Sequence, residues 1–323
     1  MSEDRLLGGG RPGALLMTYG SPDSLSREDI GAYLARVRGG RPPEADLVDE
    51  FTRRYRVIGG SPLIDITRQQ ASRLSQALGW PVEVGMRFSE PSIAAGLRAL
   101  ADAGVDEVAA IILSPQHSPM LMGGYQRAID AARAGMGTNE PRVVVAGAWH
   151  LEPALIRALA AGIERALEAL APHERQEVAV LMTAHSLPLR VAQQEPQYLE
   201  QLQETAEAVA SAGGLGEKDW TFCWQSAGHE PGEWMKPDFA DLMPGIAASG
   251  GRRVLVVPIQ FLADHLETLY DVDVGARDQA IVHGLGFERV AALNASDSLA
   301  EALATVARRT LTERPLPVAS ATG

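Results

Sequence analysis

Short apolar runs alternate with longer amphipathic stretches along the whole chain. Runs of about four to eight apolar residues bounded by turn residues read as strands buried on both faces, and the stretches between them, apolar at three- and four-residue spacing, read as helices. Strands are predicted over 13–18 (GALLMT), 81–86 (PVEVGM), 106–113 (DEVAAIIL) and 141–148 (PRVVVAGA), then over 176–183 (QEVAVLMT), 220–224 (WTFCW), 253–260 (RVLVVPIQ) and 288–293 (ERVAAL). Strands separated by helices must run parallel, because the crossover helix returns each strand to the same starting edge. The two sets echo each other: "LLMTYGSP" opens the first as "VLMTAHSLP" opens the second, and "IILSPQHSP" is answered by "VVPIQFLADH". The pattern predicts an α/β chain of two similar doubly wound domains, 13–150 and 151–312. The last helix is expected to pack back on the first half, with 1–12 and 313–323 as flexible tails.

Doubly wound sheets bind ligands beyond the carboxyl ends of their strands. The residues to inspect are therefore Tyr19, "SPQHSP" at 114–119, His185 and "FLADHLE" at 261–267. An α-helical phase for the last of these would bring Asp264, Glu267, Asp271 and Asp278 within about 60° of one another. Like charges at that spacing repel, and a divalent cation would offset the repulsion. A solvated acidic face with Asp264 as N-cap fits the same spacing. His185 has two readings as well: an imidazole satisfied by its own loop, or the partner of Glu267 in a metal-handling site. Ser186 does not read as a nucleophile, because the G-x-S-x-G elbow is missing. Arg36, Arg38, Arg41, Arg53, Arg54 and Arg56 form a basic patch suited to carboxylates or phosphates, although Glu44, Asp46, Asp49 and Glu50 lie close enough in sequence to pair with them.

Composition narrows the choice. The 323 residues are 46% hydrophobic, enough for two ordinary cores, and the net charge of −12 repels phosphate backbones, so no nucleic-acid partner is expected. The single cysteine, Cys223, forms no internal disulfide and cannot alone hold an iron–sulfur cluster. The N-terminal "MSEDRLLGGGRPG" lacks a signal-peptide core, and no run approaches the roughly 18–20 apolar residues of a membrane span. A cytoplasmic protein without a transmembrane segment is expected.

Five stretches together, "MTYGSP" (17–22), "RYRVIGGSPL" (54–63), "AHSLP" (184–188), "WQSAGHEPGEWMKPD" (224–238) and "VPIQFLADHLETLYDVD" (257–273), resemble the ferrochelatase family, most closely its soluble bacterial coproporphyrin type. The resemblance runs from about residue 13 to about 310. It departs at "IGGSP", where the family usually carries one more residue before the serine, and at Gly275, where some members continue the acidic ladder. It implies two Rossmann-like domains with parallel four-stranded sheets and an interdomain cleft. His185 and Glu267 would be the catalytic and metal-site pair, with Asp271 and Asp264 passing hydrated metal inward. Tyr19 would face the ring from the other side, and Arg38, Arg54, Tyr55, Ser61 and Tyr125 would line the porphyrin site.

On this reading Fe²⁺ and a porphyrin are substrates, no cofactor or iron–sulfur cluster is required, and the chain is a monomer with transient contacts to neighbouring haem-pathway enzymes. Insertion requires two pyrrole protons to leave and the ferrous ion to shed water, which suits an imidazole beside hard carboxylate oxygens. Coproporphyrin III, with four propionates, fits the short polar stretch "SPDSLSREDIGAYLARVRGGRPP" and its arginines better than protoporphyrin IX does. Protoporphyrin ferrochelatase, a cobalt chelatase and a non-catalytic tetrapyrrole carrier are the alternatives.

Overall fold

The computed structural model describes residues 10–137, 140–228 and 232–312. The expected tails at 1–9 and 313–323, and residues 229–231 of the tryptophan-rich motif, lie outside the described residues. The first half runs β1 (Pro12–Thr18), α1 (Arg27–Val37), α2 (Ala45–Val57), α3 (Leu63–Leu78), β2 (Val82–Met86), α4 (Ile93–Asp102), β3 (Glu107–Ile112), α5 (Pro119–Ala134) and β4 (Arg142–Val145). The second runs α6 (Pro153–Glu168), α7 (Pro172–Arg175), β5 (Val178–His185), α8 (Leu189–Ala192), α9 (Pro196–Ala212), β6 (Trp220–Gln225), α10 (Phe239–Ala248) and β7 (Arg253–Pro258). A π-helix (Glu267–Ala276), α11 (Arg277–Val282), β8 (Gly286–Arg289) and α12 (Asp297–Thr312) complete it.

Each half forms one four-stranded, wholly parallel sheet, ordered β2-β1-β3-β4 and β6-β5-β7-β8. The orders match strand for strand, so the echoing sequences at β1 and β5, and at β3 and β7, occupy equivalent places. Both faces of both sheets are covered, which is why the strands read as unbroken apolar runs. Along β1, Ala14 and Leu16 enter a central core that continues through α6, α9 and α12 to Val180 and Met182 of β5. Leu15 and Met17 point the other way, under α4 and α5. The outer face of the second sheet packs Leu181, Val254 and Val256 against α10, α11 and the π-helix.

The sequence of the last helix belongs to the second half, but α12 packs on α3, β3 and β4 as well as on α6. Arg73 bonds Asp297 at 2.9 Å and Gln70 Nε2 donates to the Asn294 carbonyl at 2.9 Å along the same seam. A second bridge is made by α1 and α2, whose Ile30, Leu34, Val48 and Tyr55 cluster with Leu266 and Tyr270 of the second half.

Three expectations need correction. β8 is Gly286–Arg289 rather than 288–293: after Val290 N–H bonds the Val256 carbonyl at 2.8 Å, Pro258 has no N–H to offer the next rung. β5 extends to His185, so that residue ends the strand and pairs in register with Gln225 instead of lying in the loop beyond. The segment after β7 is π-helical from Glu267 and α-helical only from Arg277, and Asp264 precedes it without capping it. Among the described residues no helix is long and apolar enough to cross a membrane.

Candidate functional site

The carboxyl ends of β1, β5, β6 and β7 converge with the start of the π-helix. His185 is fixed by its position at the end of β5: its N–H donates to Gln260 Oε1 at 2.8 Å, and the adjacent Ser186 N–H donates to the Gln225 carbonyl at 2.7 Å. The ring Nδ1–H donates to the Ser186 carbonyl. That bond sets the tautomer and leaves the Nε2 lone pair free to accept a proton or bind a metal.

Nε2 looks toward Glu267 Oε1 at 3.7 Å, beyond a direct hydrogen bond, and both side chains are about one-third exposed (29% and 35%). The other carboxylate oxygen, Oε2, meets His265 Nε2 at 3.4 Å, while His265 Nδ1–H donates to the Ala263 carbonyl at 2.9 Å. With acceptors at both nitrogens, the His265 ring is satisfied only as the imidazolium. Burial works against that charge, but Glu267, the Ala263 carbonyl and Asp271 together outweigh it and the pKa is raised. Burial would also raise the Glu267 pKa, yet the imidazoles of His185 and His265 beside it bring it down to about 2. Glu267 is thus held as an anion at neutral pH between two imidazoles.

Asp271, one turn further along, lies beside Arg54 Nη1 at 3.3 Å and accepts a hydrogen bond from the Ser226 hydroxyl. Ser226 holds a left-handed φ of 57°, a strained conformation for a non-glycine residue at the end of β6. Burial and the charge of Glu267 raise the Asp271 pKa despite Ser226, Arg54 and His185. Asp264 stands elsewhere. Its carboxylate meets Arg289 Nη2 at 3.0 Å and accepts from Asn294 Nδ2 at 2.8 Å, and Asp273 is held by the same arginine. The predicted acidic stripe is therefore divided between two sides of the segment.

Across from His185 lies a wall built on β1 and β2. Tyr19 follows β1, its ring 5.1 Å from Phe88 and 6.3 Å from Tyr125. The Arg87 guanidinium sits over all three rings, 4.6 Å from Phe88, 5.4 Å from Tyr125 and 5.9 Å from Tyr19. Gly124 leaves it that space: a Cβ there would fall 1.9 Å from Arg87 Nη2. Tyr19 is 46% exposed overall, but the protein packed around it raises its phenol pKa, Arg87 draws it down and Glu267 pushes it up, so the charges of both walls reach this ring. Tyr55 feels the same carboxylate, and burial with Glu267 raises its pKa too.

Of the other residues named from sequence, Tyr55 and Tyr125 are almost wholly buried, at 4% and 2% exposure, and form part of the floor. Arg38 is exposed at the C-cap of α1, and the Ser61 hydroxyl accepts from the Leu63 N–H at 3.4 Å at the start of α3. Neither touches the His185–Glu267 pair among the described contacts. The patch itself is partly self-neutralised: Arg53 and Arg54 both bond Glu50 at 2.8 Å, as the sequence spacing allows. Sequence reasoning did not single out His265 or Arg87. His265 had a signal, its place two residues before Glu267, whereas Arg87 had none beyond following a predicted strand.

Among the described residues no group of three or more His, Cys, Asp or Glu is arranged as a metal cage. The site offers two facing donors, His185 and Glu267, and a second carboxylate, Asp271, one turn further along, an arrangement that can hold a cation in passing and move protons.

The chain matches the family model described as Ferrochelatase over residues 11–311. It is 35% identical over 307 residues to a protein of Deinococcus radiodurans named ferrochelatase, covering 93% of this chain and 96% of that one. It is 32% identical over 309 residues to the coproporphyrin III ferrochelatase of Bacillus subtilis, covering 93% and 97%. In fold it resembles SirB from Bacillus subtilis, solved with Fe³⁺, at a TM-score of 0.56 and 12% identity over 93% of this chain and 96% of that one.

Proposed function

Since the chain belongs to the ferrochelatase family, we propose that it inserts ferrous iron into a porphyrin and that its porphyrin is coproporphyrin III, giving coprohaem. The observation that carries the reading is the pair at the end of β5, an imidazole with a free Nε2 lone pair looking across 3.7 Å at a carboxylate whose pKa is held well below its ordinary value. A porphyrin with Fe²⁺ becomes the iron porphyrin and two protons, so the protein must accept protons from pyrrole nitrogens while the ion sheds water.

His185 accepts a pyrrole proton at Nε2, and Glu267 stabilises the imidazolium that results, a job for a carboxylate that stays charged. Glu267 also offers a hard oxygen to the arriving iron, with Asp271 as the outer carboxylate on its path. Arg54 keeps Asp271 oriented, so Arg54 acts on the metal side rather than on the porphyrin rim. On the opposite wall Tyr19, Phe88 and Arg87 give an aromatic, cationic surface for the flat ring. Preference for four propionates is supported by the Bacillus relative's name and by two cations of the first half, the exposed Arg38 and the half-buried Arg87.

Anaerobic insertion of Fe²⁺ into coproporphyrin III and protoporphyrin IX, side by side and without detergent, tests the reading. A kcat/KM at least about tenfold higher for coproporphyrin III is expected, the size of one or two well-placed charge-assisted contacts. Equal or faster protoporphyrin insertion would replace the substrate and keep the reaction. Stoichiometric binding of both without turnover would make the protein a carrier.

A further inference from the structure

The segment 264–273 enters the cleft with His265, Glu267 and Asp271, yet both of its ends are tied to one side chain outside the cleft. Arg289, the last residue of β8, is only 10% exposed at its side chain. Its Nε donates to Asp273 Oδ1 and its Nη2 to Asp273 Oδ2, each at 2.8 Å, a two-pronged fork. The same Nη2 pairs with Asp264 Oδ1 at 3.0 Å. Asn294 completes the tie: its Nδ2 donates to Asp264 Oδ2 at 2.8 Å, and its Oδ1 accepts the Asp264 N–H at 2.9 Å. Asn294 does this from a left-handed φ of 46°, and its carbonyl is held by Gln70 of α3.

Resting on the ferrochelatase reading, we propose that Arg289 is a positioning residue for metal entry: by clamping Asp264 and Asp273 it holds Glu267 against His185 and withdraws two carboxylates from the cation's path. The anchor points lie three residues before Glu267 and two after Asp271. From Glu267 to Ala276 the backbone is π-helical, a rare register that proteins mostly use in short stretches at functional sites. Relaxation to an α-helix would rotate Glu267 relative to Asp271 and away from His185. Without the guanidinium, Asp264 and Asp273 would also be left as unpaired, mostly buried anions beside each other. They would then compete with Glu267 for any divalent ion.

Arg289→Met and Arg289→Lys separate this role from general bracing. Zn²⁺ and Fe²⁺ insertion kinetics are measured with metal and porphyrin varied separately, along with Zn²⁺ binding to the free protein by calorimetry and amide exchange over 264–276. Arg289→Met is expected to raise the KM for metal at least about tenfold and speed exchange in 264–276, with porphyrin KM within about twofold of wild type. That is the loss typical of a supporting residue behind a metal ligand. Arg289→Lys keeps the charge without the fork and falls between. If Arg289→Met does not fold, Asp273→Asn and Asn294→Ala each remove one arm and carry the same expectation at smaller size. Metal KM unchanged within twofold in a folded variant, or metal and porphyrin KM rising together, overturns the clamp. A wild-type protein that inserts no metal sinks the ferrochelatase reading instead, and Zn²⁺ binding and exchange still decide the role of Arg289.

Discussion

The two halves of the molecule share a strand order, and their difference lies in what each puts at equivalent strand ends. Where β1 stops, Tyr19 leads into Gly20, whose left-handed φ of 88° turns the chain where a Cβ would fall 1.9 Å from Ser89 Oγ. The surface behind that turn is aromatic with one guanidinium, Arg87 among Tyr19, Phe88 and Tyr125. Where β5 stops, the equivalent place holds an imidazole, and the loop and π-helix after β7 bring His265, Glu267 and Asp271 around it. A repeated scaffold thus supplies two walls meeting at one cleft, and the loops divide the chemistry between them. One wall suits a flat ring with an anionic rim. The other suits protons and a cation.

The comparison breaks first at His185. His185→Ala should lower kcat/KM for iron insertion by about 10²–10⁴, the range for losing a general base, with Glu267→Gln nearly as damaging, while absorbance titration shows porphyrin affinity within about threefold of wild type. Tyr19→Phe on the opposite wall should cost under about tenfold. A Tyr19→Phe loss as large as that of His185→Ala would mean that the walls do not divide the work in this way.

Asp271→Asn is a smaller test with two signs. Turnover should fall by about tenfold, as for an outer rather than an inner ligand. Stability should rise, because burial and Glu267 disfavour the ionised form more than Ser226, Arg54 and His185 favour it; a Tm gain of about 1–3 °C is expected by calorimetry. A turnover loss equal to that of Glu267→Gln would abolish the ranking of the two carboxylates.

The smallest effect is on the pH dependence of stability. Glu267 titrates near 2 in the fold against an ordinary 4.5, so its contribution is complete above 4.5 and fades as pH falls from there toward 2. His265 is raised above 6.5, so its contribution is complete below 6.5 and is lost as pH climbs through the higher folded value. The Tm difference between wild type and Glu267→Gln should therefore be greatest between 4.5 and 6.5 and narrow on both sides. A difference that narrows neither below 4.5 nor above 6.5 would show that the imidazoles do not hold the carboxylate charged.

Much of this was legible along the chain. Most of the strands stood out because parallel strands covered on both faces are largely apolar, a property each segment carries locally, whereas β8, with Glu288 and Arg289, was displaced from its predicted bounds. Their ends marked out Tyr19, His185 and Glu267, since a doubly wound sheet leaves its crevice there. The pattern alone could not say which charge meets which. Arg54 bonds Asp271 across 217 positions, and Arg289 takes Asp264 and Asp273 out of a stripe that looked continuous. It also could not reveal that Tyr55 and Tyr125 are buried, or that the acidic segment winds as a π-helix. Periodicity records which face of an element avoids water, and that is settled by neighbours three or four residues away. The pairing of carboxylates with cations, and the helical register those pairs impose, depends on residues brought together only when the two sheets close on their common core.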